Sequence, residues 1–181
     1  PASGFTPELI KAVGAIPSSY LEYYYYKDHK LENAKNVEKC RGEVCMDIEE
    51  NLLEIYSNSE IHNKPELLSK RGGSRYSEVA INLVDSIYND RGDVQVVNLL
   101  NKGAISFMDD NDAIEISARI DKDGAHPIKA KFENEHIKEY MQMMKAYEKH
   151  AVRAALTGDE DEAVKALLIN PLVGDYKSFY P

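Results

Sequence analysis

Three features of the sequence predict an α+β domain. Apolar residues recur at helical spacing towards both ends, strand-like alternation is gathered in the middle, and no strand–helix–strand repeat suggests a parallel sheet. The 181 residues and 43% hydrophobic content suffice for one compact unit with a core of its own. The 31 acidic residues outnumber the 22 basic ones and give a formal net charge of -9, which argues against nucleic acid or an anionic membrane as partner. No apolar run approaches the roughly 20 residues needed to span a bilayer, and no leader-like segment opens the chain, so a cytoplasmic protein is expected.

Thr6, Pro7 and Glu8 supply an N-cap, a proline for the first helical turn and an acid near the helix dipole, which predicts a short helix to about Val13, stopped by Gly14 and Pro17. Ser18 or Ser19 can cap a second short helix that carries Tyr20 in its first turn. Five of the chain's 12 tyrosines fall between Tyr20 and Tyr26. A phenol packs like a hydrophobe and is also a weak acid, so the run suggests either an aromatic core helix or a proton-handling site.

From Asn33 to Tyr56, Val37, Val44, Ile48, Leu52 and Ile55 recur at helical spacing and predict one long amphipathic helix. Arg41 falls on its apolar stripe, where it either snorkels to an acid or meets an anion at the edge of the core. Cys40 and Cys45 would lie about 140° apart on such a helix, which predicts two reduced thiols without a disulfide. After Asn63-Lys64-Pro65 come a short helical piece to Lys70, a glycine-hinged loop Arg71-Gly72-Gly73-Ser74, and a helix from Tyr76 to Tyr88 striped by Ala80, Leu83, Val84 and Ile87. The two glycines match no phosphate-binding motif and are assigned to close backbone packing.

Asp93 to Leu100 and Ala113 to Ile120 read as strands, the second alternating as if one face were wet, with turns at Asn101-Lys102-Gly103 and at Asp121 to Gly124. A strand-like segment around His126-Pro127-Ile128 completes a small antiparallel or mixed sheet. Helices return from Glu133 to about Leu156, closed by Thr157-Gly158, and from Asp161 to Ile169.

Three groups of residues then stand in one order: Gly14-Ala15-Ile16-Pro17-Ser18-Ser19-Tyr20-Leu21, Lys70-Arg71-Gly72-Gly73-Ser74-Arg75-Tyr76-Ser77, and Ile87-Tyr88-Asn89-Asp90 followed by Val97-Asn98 and Asn101 to Ile105. With Asp123 to Pro127, Met144 to Glu148 and Ala166 to Val173, they resemble the C-terminal half of glycoside hydrolase family four, in its 6-phospho-β-glucosidase branch. The resemblance covers nearly the whole chain and implies a domain of the lactate/malate dehydrogenase C-terminal type. It also implies a fragment that starts at Pro1 in mid-sequence, with an N-terminal Rossmann domain elsewhere that holds NAD and ligates a divalent metal, usually manganese. Relatives continue after Pro171-Leu172-Val173 with a further helix, whereas here Asp175 to Pro181 closes the chain.

The mechanism implied by the resemblance is oxidation of a 6-phosphoglucoside at C3 by NAD, loss of the C2 proton to a tyrosine, elimination of the aglycone, water addition and return of the hydride. The tyrosine at the family's Pro-x-x-Tyr-Leu position is Tyr20. A phenol ionises near pH 10, so phenolate base near neutrality needs about 4 kcal/mol of stabilisation, which a helix N-terminus and a cation or metal would supply. Relatives carry a phosphate-binding arginine about twenty residues later; Arg41, 21 positions after Tyr20 (41 - 20), is the match. Tyr23 to Tyr26 are packing residues on this view, Arg71 and Arg75 weaker phosphate candidates, His126 structural, and Glu49, Glu50 and Glu54 a solvated face. The implied ligand is a phosphorylated β-glucoside such as cellobiose 6-phosphate, and the implied assembly a homo-oligomer. Two alternatives stand beside this: a scaffold or oligomerisation domain with the chemistry elsewhere, and another branch of the family acting on 6-phospho-α-glucosides or α-galactosides.

Overall fold

The computed structural model of the chain describes residues 4–73 and 75–179. Pro1, Ser74, Tyr180 and Pro181, on which parts of the sequence reading fall, lie outside the described residues. The chain groups into two compact units instead of the single one expected: the first takes residues 1–31, 98–116 and 128–181, the second residues 32–97 and 117–127. Each has its own buried residues, Phe5, Val13, Ile105 and Ile114 among those of the first and Leu52, Ala118 and Ile120 among those of the second.

Helix α1 (Pro7–Val13) forms as predicted. The Thr6 hydroxyl accepts from the Leu9 N–H at 3.3 Å, and Gly14 closes the helix at φ 71°, a conformation open to glycine at little cost. The tyrosine helix is two short pieces, a 3₁₀ turn (Ser19–Leu21) and α2 (Glu22–Tyr25). The long helix expected from Asn33 to Tyr56 is also two, α3 (Lys27–Lys35) and α4 (Arg41–Tyr56). Cys40 is the N-cap of α4, and its N–H donates to the Glu43 carboxylate at 2.7 Å. This reach back from the third helical residue marks a helix start, so Val37 belongs to the link and its helical spacing to α4 is coincidental. Both cysteines are free thiols, as predicted.

Helix α5 (Leu67–Arg71) ends at Gly72 and Gly73, with φ 92° and 77°. A Cβ at Gly72 would meet nothing within 4 Å, so left-handed backbone, not the close packing assigned from the sequence, accounts for that glycine. Helix α6 (Tyr76–Tyr88) has the predicted bounds.

Strands β1 (Asp93–Leu100), β2 (Ala113–Asp121) and β3 (Gly124–Pro127) form an antiparallel sheet in the order β1-β2-β3. In the β2–β3 hairpin Ala118 faces Pro127 and Asp121 faces Gly124. Ile114, Ile116, Ala118 and Ile120 are buried while Ala113, Glu115, Ser117 and Arg119 are exposed, the wet face that the alternation predicts. In the first unit Ala104, Ile105, Ile114 and Ile116 form a core flanked by Leu99, Phe107, Phe132 and Met141.

Asn101, read from the sequence as a turn residue, has no exposed surface. Its amide donates to the carbonyls of Ile105 (3.0 Å) and Met108 (2.9 Å), and its side-chain oxygen accepts from the Ile105 N–H (2.7 Å). One side chain thus ties the loop into the core.

Helix α7 (Glu135–Thr157) starts at Asn134 and ends at Gly158, and α8 (Glu160–Ile169) starts at Asp159, whose carboxylate accepts from the Asp161 N–H at 2.9 Å. Glu162 on α8 pairs with His150 and Arg153 of α7 and with Lys165. Lys165 and His150 hold its carboxyl down at about 2. No helix among the described residues is long and apolar enough to cross a membrane.

Candidate active site

The segment around Tyr20 is built by a stop, a turn and a tether. Gly14 ends α1, Pro17 cannot continue a helix, and the Leu21 N–H donates to the Ser18 carbonyl at 2.8 Å to close the 3₁₀ turn. The Ser18 hydroxyl makes no cap bond, so the turn is held from its other end. There the Glu22 carboxylate accepts from the Gly4 N–H at 3.1 Å and pairs with Lys30. A Cβ at Gly4 would come within 2.5 Å of that carboxylate. Lys30 holds the Glu22 carboxyl below its ordinary range, and Glu22 raises the Lys30 ammonium in return. Tyr23 carries the same ammonium 5.6 Å from its ring centroid, a cation–π contact.

Tyr20 is 80% exposed, so its phenol is open to whatever meets this face. Tyr24, Tyr25 and Tyr26 turn into the first unit. Tyr24 packs against Tyr25 and Tyr140 with centroids 4.9 and 4.6 Å apart, and Phe5 packs against Tyr25 and Tyr26. The Tyr25 hydroxyl lies 2.9 Å from His136 Nε2, and the Tyr26 hydroxyl accepts from the Thr6 N–H at 3.3 Å. Burial pushes the Tyr25 and Tyr140 phenols up, with neighbouring tyrosines adding to it, the wrong direction for a base. These tyrosines serve packing; Tyr20 and Tyr23 are the exposed ones of the run, and Tyr23, expected to pack, instead lies against the Lys30 ammonium.

Arg41 is the first residue of α4 and exposed; it stands at the N-terminal end of the stripe that runs through Val44, Ile48 and Leu52, and not in the middle of one that begins at Val37. One Nη2 donates to the carbonyls of Lys70 (2.8 Å) and Arg71 (3.2 Å) at the end of α5. That tether aims the guanidinium while leaving Nε and Nη1 without a protein partner among the described residues. Tyr20 belongs to the first unit and Arg41 to the second.

Arg71 is drawn to Glu49, its Nη2 3.2 Å from the carboxylate. His126 lies 2.9 Å from Asp121, which also pairs with Arg119, and this fits the structural role read from the sequence. Glu49, Glu50 and Glu54 are exposed, as expected. No group of three or more His, Cys, Asp or Glu side chains among the described residues could hold a metal, and the sequence has no dinucleotide-binding glycine motif. The described residues therefore do not by themselves fit a metal or NAD. Sequence reasoning missed the Glu22 tether and the His136 contact, since residues 22 and 30 or 25 and 136 have no shared helical spacing to reveal them.

Residues 2–173 match the family model described as the family 4 glycosyl hydrolase C-terminal domain. A probable 6-phospho-β-glucosidase of Bacillus subtilis is 39% identical over 92% of this chain and 38% of its own length. The 6-phospho-β-glucosidase of Escherichia coli is 32% identical over 93% of the chain and 38% of its own length. The solved structure of the Thermotoga maritima 6-phospho-β-glucosidase with NAD and glucose-6-phosphate superposes with a TM-score of 0.88 at 28% identity, covering 97% of this chain and 43% of that one. A second structure of that enzyme, with manganese, NAD+ and glucose-6-phosphate, has a TM-score of 0.86 at 30% identity and covers 97% of this chain and 42% of the other. The chain thus spans about two fifths of the length of these relatives. On the family match and these relatives together, the chain belongs to family 4 of the glycosyl hydrolases and corresponds to its C-terminal domain.

Proposed function

We propose that this chain is the substrate-side domain, of the lactate/malate dehydrogenase C-terminal type, of a larger enzyme that hydrolyses 6-phospho-β-glucosides. The observation that carries the reading is the solvent-open phenol of Tyr20, fixed on a tethered turn in a chain whose relatives are named 6-phospho-β-glucosidases. NAD and a divalent metal, held by an N-terminal nucleotide-binding part, supply the oxidation and Lewis acidity that loosen the C2–H bond of the sugar. Tyr20 takes that proton as general base. Its reach to the sugar comes from exposure, and its backbone position from Glu22, Gly4 and Lys30. Arg41 binds the 6-phosphate with the guanidinium nitrogens its tether leaves over, a planar donor set suited to phosphate oxygens.

The test uses the whole enzyme with 6-phosphoglucoside in deuterated water. Tyr20→Phe removes exchange of deuterium into C2 and lowers kcat by about 100-fold or more, with NAD affinity unchanged. Retained exchange in this variant rejects Tyr20 as base. The 181-residue chain alone is expected to be inactive, and turnover of a chromogenic 6-phosphoglucoside by it would overturn the division of labour proposed here.

A further inference from the structure

Tyr20 is mostly exposed, so packing does little to fix its phenol, and the direction in which it points is set by the backbone that carries it. That backbone is a loop whose two ends are bonded to one end of helix α7. At the leading end the Asn134 amide donates to the Val13 carbonyl, next to Gly14, where the chain turns at φ 71°. At the trailing end the Tyr25 hydroxyl lies 2.9 Å from His136 Nε2, and Tyr24 packs on Tyr140 with ring centroids 4.6 Å apart. Asn134 is the N-cap of α7, and His136 and Tyr140, four residues apart, share one face of that helix. Residues 13 and 25, 12 positions apart (25 - 13), are thus both held by partners within the same helical turn. A loop of this length with its ends drawn together moves as one piece, and Tyr20 lies inside it.

The two ends of the Asn134 side chain have different tasks. Its oxygen accepts from the Ile137 N–H at 3.3 Å and caps α7, a task that Asp performs as well as Asn. Its amide instead reaches outward to a carbonyl at the end of α1 that the helix itself leaves unpaired. A Cβ at residue 14 would lie 2.8 Å from that amide nitrogen, so α1 approaches this closely because the residue there is glycine. Capping α7 needs only the oxygen; the amide joins α7 to the segment that leads into Tyr20. We infer that Asn134 and His136 are positioning residues for Tyr20: the first turn of α7 clamps both ends of the loop and so fixes where the phenol is presented. A loop released at one end samples more backbone conformations, and a misplacement of about 1 Å at a reacting group lowers a rate by about 100-fold. The inference rests on the reading of Tyr20 as the base, and both residues act through it.

Kinetics of the whole enzyme on a 6-phosphoglucoside test it. Asn134→Asp keeps the cap of α7 but sets an oxygen against the Val13 carbonyl, so it opens the clamp without uncapping the helix. It is expected to lower kcat and C2 exchange by about 10-fold, with KM within about twofold of wild type and a melting temperature within about 3 °C of it. Tyr25→Phe and His136→Phe each remove the bond at the other end and are expected to lower kcat by about 3-fold or more, with the double variant no worse than either single one. In a Tyr20→Phe background, Asn134→Asp is expected to lower the residual turnover no further, since a positioning residue has no other route to the reaction. An unchanged kcat in Asn134→Asp, an equal loss with and without the Tyr20 phenol, or additive effects of Tyr25→Phe and His136→Phe would each overturn the proposal. Retained C2 exchange in Tyr20→Phe alone would overturn it by removing the base itself, so that single variant tells the two failures apart.

Discussion

Replacing Asn101 tests how the loop between β1 and β2 is held. The side chain is fully buried and makes three hydrogen bonds of 2.7 to 3.0 Å. Asn101→Ala removes all three and strands the Ile105 N–H, in a residue that is itself 2% exposed. Two donated bonds at about 1 kcal/mol each and an orphaned buried donor at about 1–3 kcal/mol give a loss of about 3–5 kcal/mol, a large part of the 5–15 kcal/mol typical of a domain. Asn101→Asp separates the contributions. It keeps the acceptor for Ile105 N–H but turns an oxygen towards two carbonyls, so its carboxyl ionises in the fold only at a raised pKa. A group raised in the folded state is least harmful when protonated, so this variant gains stability relative to wild type as pH falls towards 4 or so. Urea unfolding followed by circular dichroism measures both. A loss below about 1 kcal/mol for Asn101→Ala would show that the loop is held by its apolar neighbours and that the hydrogen bonds are incidental.

Arg41→Ala in the whole enzyme is expected to raise KM for a 6-phosphorylated substrate by about 10- to 100-fold, the worth of a charge-assisted bond of about 1.5–3 kcal/mol, with kcat nearly unchanged; Arg41→Lys should recover little of this, and an unchanged KM removes Arg41 from the phosphate site. Glu162, whose carboxyl is held at about 2 between His150, Arg153 and Lys165, stabilises the α7–α8 hairpin above its unfolded value of about 4.3, and that contribution is lost as pH falls from there towards 2. Thermal melts of wild type and Glu162→Gln should therefore differ at pH 6 and converge on acidification; parallel curves would mean that the carboxylate adds nothing.

Elements with a local chemical signature were legible in the sequence. Thr6 and Gly14 bracket α1, the alternation of Ile114, Ile116, Ala118 and Ile120 gives both the existence and the facing of β2, and α6 is bounded as its stripe predicts. Helix α3 was not legible, because Lys27 to Lys35 contains only Leu31 and Ala34 as apolar residues and so has no periodicity to read. The start of α4 failed for the opposite reason: Val37 supplied a spurious period across a helix start that only the Glu43-to-Cys40 bond reveals. The α6 stripe was found but not its direction: Ala80, Val84 and Ile87 are exposed and Leu83 is half-buried, and periodicity says which residues share a face and not whether that face points to the chain's own core. Tyr20 was legible through its motif, whereas the tether that positions its turn joins residues 4, 22 and 30 and leaves no pattern in sequence.

The form of the Tyr20 turn bears on where a phenolate there would find its stabilisation. A helix N-terminus was expected to contribute, but the turn is a three-residue 3₁₀ segment followed by a four-residue helix, too short for an aligned dipole to count for much. Of the cations that follow it, Lys27 donates to the Pro171 carbonyl and Lys30 is committed to Glu22. Burial supplies nothing useful, since it acts on Tyr25 in the opposite sense. If Tyr20 is the base proposed above, the roughly 4 kcal/mol that a neutral-pH phenolate needs has to come from positive charge supplied from outside this segment. That requirement fits a division of labour in which this chain presents an open, well-anchored base and the metal and nucleotide arrive on the opposing wall. It also gives the pH profile a meaning: the limb on which exchange rises with pH reports ionisation of the base, so if the opposing wall carries the cation, weakening the metal site of the whole enzyme should move that ascending, acidic limb of the remaining C2 exchange to higher pH, while Glu22→Gln should lower exchange without moving it.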